Sequence, residues 1–110
     1  MSDTLARLAA TIASRRTASA SASYTKSLLE KGVAACARKL GEEATETVIA
    51  AVGESEEKLR NEAADLIYHL LVLLEARNIA FESVLSELDR RMSQSGHAEK
   101  ASRPKSGSAS

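Results

Sequence analysis

The sequence predicts an all-α protein, four to five helices forming a helical bundle. Three observations carry that expectation. Apolar residues make up 44% of the 110-residue chain but aromatics only 3%, so Leu, Ile, Val and Ala must build the core, which favours helix packing over a sheet. Apolar positions recur at helical spacing along most of the chain. Glycines stand where such helices should stop, at Gly32 and Gly53. At this length the chain is one domain at most. It reads as an all-α domain over 1–94 and a disordered tail over 95–110, and it contains no internal repeat.

Each element follows from local signals. Leu5, Leu8, Ala9 and Ile12 share a helical face over 3–16, with Ser2 or Asp3 to cap the start. The small, polar stretch Thr17-Ala-Ser-Ala-Ser-Ala-Ser23 reads as a mobile loop. A short helix over 24–31 should end at Gly32, and a longer one over 33–52 at Gly53. Gly41 inside the longer helix costs about 1 kcal/mol relative to Ala and would permit close approach of a ligand or a neighbouring helix. The next helix should span 55–77, where Glu54, Glu56 and Glu57 suit its positive N-terminal end. The last, over 81–93, places Val84, Leu85 and Leu88 on one side. Gly96, Pro104, Gly107 and the serines that follow Ser95 mark the tail.

Composition excludes several classes. Fifteen basic residues balance 15 acidic ones, so no global attraction to nucleic acid or membrane is expected. One cysteine, Cys36, rules out an intramolecular disulfide and argues against a Cys-based zinc site; a reducing compartment fits. The N-terminal segment carries Asp3 and Arg7 and lacks an uninterrupted apolar stretch, so no signal peptide is read. The longest apolar run, Leu66 to Leu74, is interrupted by His69 and too short to span a bilayer. The expectation is a soluble cytoplasmic protein. Residues 66, 67 and 70–74 are all apolar. A helix apolar nearly all round must be buried on several sides, and so small a chain can hardly surround it. A homodimer is expected.

Two acidic motifs dominate: Lys39-Leu-Gly-Glu-Glu-Ala-Thr-Glu46 and Glu62-Ala-Ala-Asp65. Glu43 and Glu46 lie about 60° apart on a helical wheel, and Glu42 about 40° from Glu46. Such a run is often only a solvated face. However, the positions four residues after Glu42, Glu43 and Glu46 are Glu46, Thr47 and Ala50, where a stabilising surface would place Lys or Arg. Only Lys39 offers local relief. Asp65, with Ala63, Ala64, Leu66 and Ile67 beside it, reads as a buried carboxylate, which needs a partner charge: an Arg or a metal. Two such motifs facing each other would form an oxygen-rich pocket for a hard divalent cation, Mg²⁺ or Mn²⁺. No Glu is followed three residues later by a His, which argues against a bundle di-iron site. Mg²⁺ held by carboxylates generally works on phosphates.

Lesser candidates keep two readings. His69, one turn after Asp65, either bonds a carboxylate or ligand, or is a core histidine held by a backbone carbonyl. Tyr68 is either a hydrogen-bonding group or core. Cys36 reads as a small buried hydrophobe rather than a nucleophile. Arg90 and Arg91 either reach phosphates or complement the negative end of the last helix. Lys39, Lys31, Arg15 and Arg16 are candidate phosphate contacts.

The pattern Glu42-Glu43-x-x-Glu46 followed by Glu62-x-x-Asp65 resembles the all-α nucleoside triphosphate pyrophosphatase (MazG-like) superfamily. Within it, Ser23-Tyr24-Thr25, Leu28-Leu29-x-Lys31-Gly32, Gly41-Glu-Glu-Ala44 and Asp65-Leu-Ile-Tyr-His69 resemble the phosphoribosyl-ATP pyrophosphohydrolase family over about residues 5 to 92. The resemblance implies Mg²⁺-dependent hydrolysis of phosphoribosyl-ATP, the second step of histidine biosynthesis, by a dimer of helical bundles. It implies Glu43, Glu46, Glu62 and Asp65 as metal ligands, and Glu42 as a further ligand or the group that orients the attacking water. Ser23, Tyr24, Thr25, Lys31, Lys39 and His69 would contact substrate. Many members carry a fused cyclohydrolase; no corresponding Cys/His motif exists here, so a separate cyclohydrolase is expected. Two alternatives stand beside this reading: a house-cleaning pyrophosphatase acting on free nucleotides such as dUTP or dCTP, and a non-catalytic helical interaction module whose acids are merely solvated.

Overall fold

The computed structural model describes residues 3–94 of the chain; the expected tail at 95–110 lies outside them, as does Ser2. The described part is all-helical, as expected. Helix α1 spans Thr4–Ser14 and runs into a 3-10 turn, Arg15–Thr17; then come α2 (Tyr24–Lys31), α3 (Val33–Gly53), α4 (Glu56–Ala76) and α5 (Phe81–Met92). None of these helices is long and apolar enough to cross a membrane.

The helix ends have local causes. Asp3 takes the N-cap position of α1, but its carboxylate pairs with Arg7 instead of capping the backbone. Ser23 caps α2 by accepting from the Lys26 N–H at 3.1 Å, and Ser55 caps α4 by accepting from Lys58 N–H at the same distance. Between α2 and α3 the chain turns at Gly32, whose φ of +96° is disfavoured for any residue with a Cβ. The stop of α4 uses a residue that the sequence reading passed over, Asn78. Its φ is +61°, a conformation that Asn tolerates better than most residues. Around it, Asn78 N–H donates to Glu75 O at 3.0 Å and Ile79 N–H to Leu74 O at 2.9 Å, the paired bonds of a Schellman ending.

Helices α3 and α4 form a long antiparallel hairpin across the short connection Glu54–Ser55. Helices α1 and α2 pack against it. The core lies there, with Ile12, Leu28, Cys36, Leu71 and Val72 buried and Leu8, Leu29, Tyr68 and Phe81 packed around them. Truncating Ile12 to Ala should cost about 2–5 kcal/mol. Cys36 is core, as expected: its thiol donates to Leu28 O at 3.3 Å and burial raises its pKa. Gly41 faces open space, so no neighbouring helix uses the missing side chain among the described residues.

The apolar run of α4 is covered on one side only. Leu71 and Val72 are buried, whereas Ile67 and Leu70 remain exposed. On α3, Val48, Ile49 and Val52 are exposed as well, Val52 by 85%. On α5, Leu85 and Leu88 are exposed.

Candidate metal centre

The hairpin brings together three carboxylates. Glu43 comes from α3; Glu62 and Asp65 share a face of α4, one turn apart. One oxygen from each lies within 4.8 Å of the others. Two like charges about 5 Å apart repel by about 3 kcal/mol at an effective dielectric near 20, so the cluster needs cations. The chain supplies two. Lys39 Nζ lies 3.4 Å from Glu43 and 3.7 Å from Glu42. Lys58 Nζ lies 3.0 Å from Glu62. Both ammonium groups are held above their usual pKa: Lys39 by the nearby Tyr24 phenol and its bond to Glu43, Lys58 by its bond to Glu62 with smaller contributions from Glu54 and Glu46. Neither pairs with Asp65 among the described residues.

Burial is divided differently from the expectation. Glu62, 8% exposed, is the buried acid, and Asp65 is exposed. Its apolar sequence neighbours point around the helix circumference and do not share its face, because adjacent helical positions diverge by about 100°. No Arg pairs with Asp65 among the described residues.

Thr47 fixes the level at which the two helices meet. Its hydroxyl lies 2.8 Å from Glu43 O and 3.2 Å from Glu62 O, so one proton is shared between the carbonyls of two of the clustered acids. The sequence reading missed Thr47, since an intrahelical Thr back-bond looks like any other until the second helix is placed. It also missed Lys58, although its spacing four residues before Glu62 was visible.

The remaining candidates are spread around this centre. Glu46 is exposed, outside the three-carboxylate cluster, and near enough to Lys58 to raise its pKa. Glu42 is exposed and its ion pair is with Lys39. Lys31 lies exposed in the last turn of α2. Ser23 serves as the α2 cap. Thr25 is buried and hydrogen-bonded to the Tyr68 hydroxyl. His69 is buried; Nδ1–H donates to Asp65 O at 2.8 Å, which is the backbone-carbonyl reading. That bond leaves Nε2 as an acceptor, and the Tyr24 hydroxyl donates to it at 3.3 Å. The Tyr24 ring stacks on Tyr68 with centroids 6.3 Å apart. Arg16 is committed elsewhere: it bonds the Glu75 carboxylate, the Glu75 carbonyl and, at 2.9 Å, Asn78 Oδ1. Arg90 and Arg91 both bond Glu87.

Comparison with known proteins covers the whole of this framework. The family model described as phosphoribosyl-ATP pyrophosphohydrolase matches residues 5–92. A protein of Azorhizobium caulinodans named phosphoribosyl-ATP pyrophosphatase is 55% identical over 103 residues, 94% of each chain. Its namesake from Zymomonas mobilis is 57% identical over 104 residues, covering 94% of this chain and 97% of that one. The Novosphingobium aromaticivorans protein of the same name is 59% identical over 99 residues, 90% and 92% of the two chains.

Proposed function

The chain belongs to the phosphoribosyl-ATP pyrophosphohydrolase family, and from that membership we propose that it hydrolyses the α–β phosphoanhydride of 1-(5-phosphoribosyl)-ATP. The products are 1-(5-phosphoribosyl)-AMP and pyrophosphate, in the second step of histidine biosynthesis. The observation that supports this reading is the convergence of Glu43, Glu62 and Asp65 within 4.8 Å from two helices.

The donor set fits a hard divalent cation: three carboxylates, no sulfur and no imidazole. We assign Glu43, Glu62 and Asp65 as ligands of Mg²⁺, with Mn²⁺ an alternative, and Glu46 as the fourth. When bound, the ion supplies charge neutralisation on phosphoanhydride oxygens and polarises water. The chain's own groups do the rest. Lys39, bracketed by Glu42 and Glu43, donates to a phosphate oxygen. Glu42, exposed and beside Lys39, accepts the proton of the attacking water as the new P–O bond forms and the bridging P–O bond breaks. Ser23, Tyr24 and Thr25, with His69 behind them, border the substrate, and Lys31 is the outermost contact. The same reading makes this a cytoplasmic enzyme of a small-molecule substrate. It also makes it a homodimer joined through α4, whose exposed Ile67 and Leu70 a second copy would cover.

The test is pyrophosphate release from phosphoribosyl-ATP with and without Mg²⁺, beside a panel of nucleoside triphosphates. Metal-dependent release from phosphoribosyl-ATP alone is the expected result. Release only from free nucleotides would move the protein to a house-cleaning role.

A further inference from the structure

Arg15 and Arg16 are neighbours in the 3-10 turn, and the structure uses them in opposite ways. Arg16 is held by the end of α4. Its backbone carbonyl also accepts from Lys26 Nζ at 2.5 Å, so the turn is fixed on two sides. Arg15 bonds only through its backbone, its carbonyl accepting from Ala18 N–H at 3.0 Å; its guanidinium makes no hydrogen bond or ion pair among the described residues, and it lines a cavity of about 430 Å³ with Ala18, Ala22, Ser23, Tyr24 and Thr25. The lining holds one guanidinium, hydroxyl groups and an aromatic ring, and no carboxylate. Such a lining suits an anion, and Arg in particular binds phosphate through two parallel N–H bonds.

Tyr24 joins this cavity to the metal centre. Tyr24 is 55% exposed, and Tyr68 stacks with its ring. Its hydroxyl reaches His69, which bonds the Asp65 backbone. Tyr24 therefore borders the Arg15 cavity, lies near Lys39, and is linked through His69 to the turn of α4 that carries Asp65. A molecule that spans the carboxylates, Tyr24 and this cavity would carry phosphates at one end, an aromatic ring between, and a second phosphate at the other.

We propose that the Arg15 cavity binds the 5′-phosphate of the ribose attached to the adenine ring, with the Tyr24 ring against the base, and so selects phosphoribosyl-adenine nucleotides over adenine nucleotides that lack this group. This rests on the proposed substrate. Arg15 is then a specificity residue distant from the bond that breaks. ATP and AMP, which lack the second phosphate, leave it unused.

The experiment is calorimetric binding of phosphoribosyl-AMP and of AMP to the wild type, Arg15→Gln and Arg15→Lys, with steady-state kinetics on phosphoribosyl-ATP. The wild type should prefer phosphoribosyl-AMP by about tenfold or more, the worth of a charge-assisted phosphate contact. Arg15→Gln should lose that preference through weaker phosphoribosyl-AMP binding, leave AMP binding and the melting temperature unchanged, and raise KM with little change in kcat. Arg15→Lys should restore part of it. An intact preference in Arg15→Gln, or equal weakening of both ligands, would overturn the assignment. A wild type that turns over phosphoribosyl-ATP while the variant keeps its preference sinks the cavity assignment alone; a wild type inert toward phosphoribosyl-ATP sinks the proposed function and the assignment with it.

Discussion

The Thr47 hydroxyl bridges the carbonyls of Glu43 and Glu62, at 2.8 and 3.2 Å. A polar group on α3 thereby sets the height of α4 at the level where the acids meet. Thr47→Val keeps the side-chain shape and removes the bridge. Stability should fall by about 1 kcal/mol, and the midpoint of thermal unfolding by about 5 °C. Mg²⁺ titration followed by melting should show weaker metal stabilisation than in the wild type. An unchanged response to Mg²⁺ would remove Thr47 from the site's support.

Asp65→Asn should separate two effects of one carboxylate. Without metal the variant should melt at or above the wild-type temperature, since a repelling charge has gone. With Mg²⁺ the wild type should gain stability and Asp65→Asn should gain little. Pyrophosphate release should fall by about 10²-fold or more, the scale of losing one group that organises transition-state charge. A variant that melts lower in the absence of metal would contradict the repulsion argument.

Glu87 gives a pH signature confined to α5. Hydrogen bonds from Arg90 and then Arg91 hold its carboxyl at about 2, below its ordinary 4.5. A lowered folded-state value adds stability above the unfolded value and loses it as pH falls toward the folded one. The stability gap between wild type and Glu87→Gln should be constant near neutrality and shrink between about pH 4.5 and 2. Melting curves of both proteins across that window are the measurement, and a gap that widens on acidification would reverse the sign.

At the far end of α4, Arg16 clasps the helix stop through Glu75 and Asn78. The pair is partly exposed, so Arg16→Gln should cost only about 1 kcal/mol. Asn78→Val should cost about 1–2 kcal/mol, because a β-branched residue is strained at positive φ. Chemical denaturation of both variants would test this order of effects.

Replacing Ile67 and Leu70 together with Glu should dissociate the proposed dimer without disturbing the buried Leu71 and Val72. Sedimentation should show half the wild-type mass with helical content retained. A wild type that sediments as a monomer would remove the α4 interface from the account.

The periodic apolar pattern and the glycine stops at Gly32 and Gly53 made the helices legible, since each acts within a turn of chain, whereas the Ser23 and Ser55 caps emerged only with the structure. The carboxylates were legible as a group because their spacing within each helix was visible. Which of them meet was not: that depends on the register between α3 and α4, and register is set by contacts such as Thr47 to Glu62. Hence Asp65 was read as buried where Glu62 is. Glu46 shares a helix face with Glu43 by angle, yet its carboxylate stands outside the cluster. Asn78 escaped notice because a left-handed helix stop is usually signalled by Gly.

The Glu54–Ser55 connection makes the centre sensitive to chain length in a way that the chemistry of its ligands does not suggest. Adding or deleting one residue inside either helix, between Glu43 and Gly53 or between Glu56 and Glu62, would turn part of that helix by about 100° and shift it by about 1.5 Å. The acids would then face different directions with every side chain intact. Substitutions along the hairpin's outer face can accumulate without that consequence. Insertions and deletions in this protein should therefore be confined to the loops around the hairpin, and its two long helices should evolve by exchange of residues at fixed length.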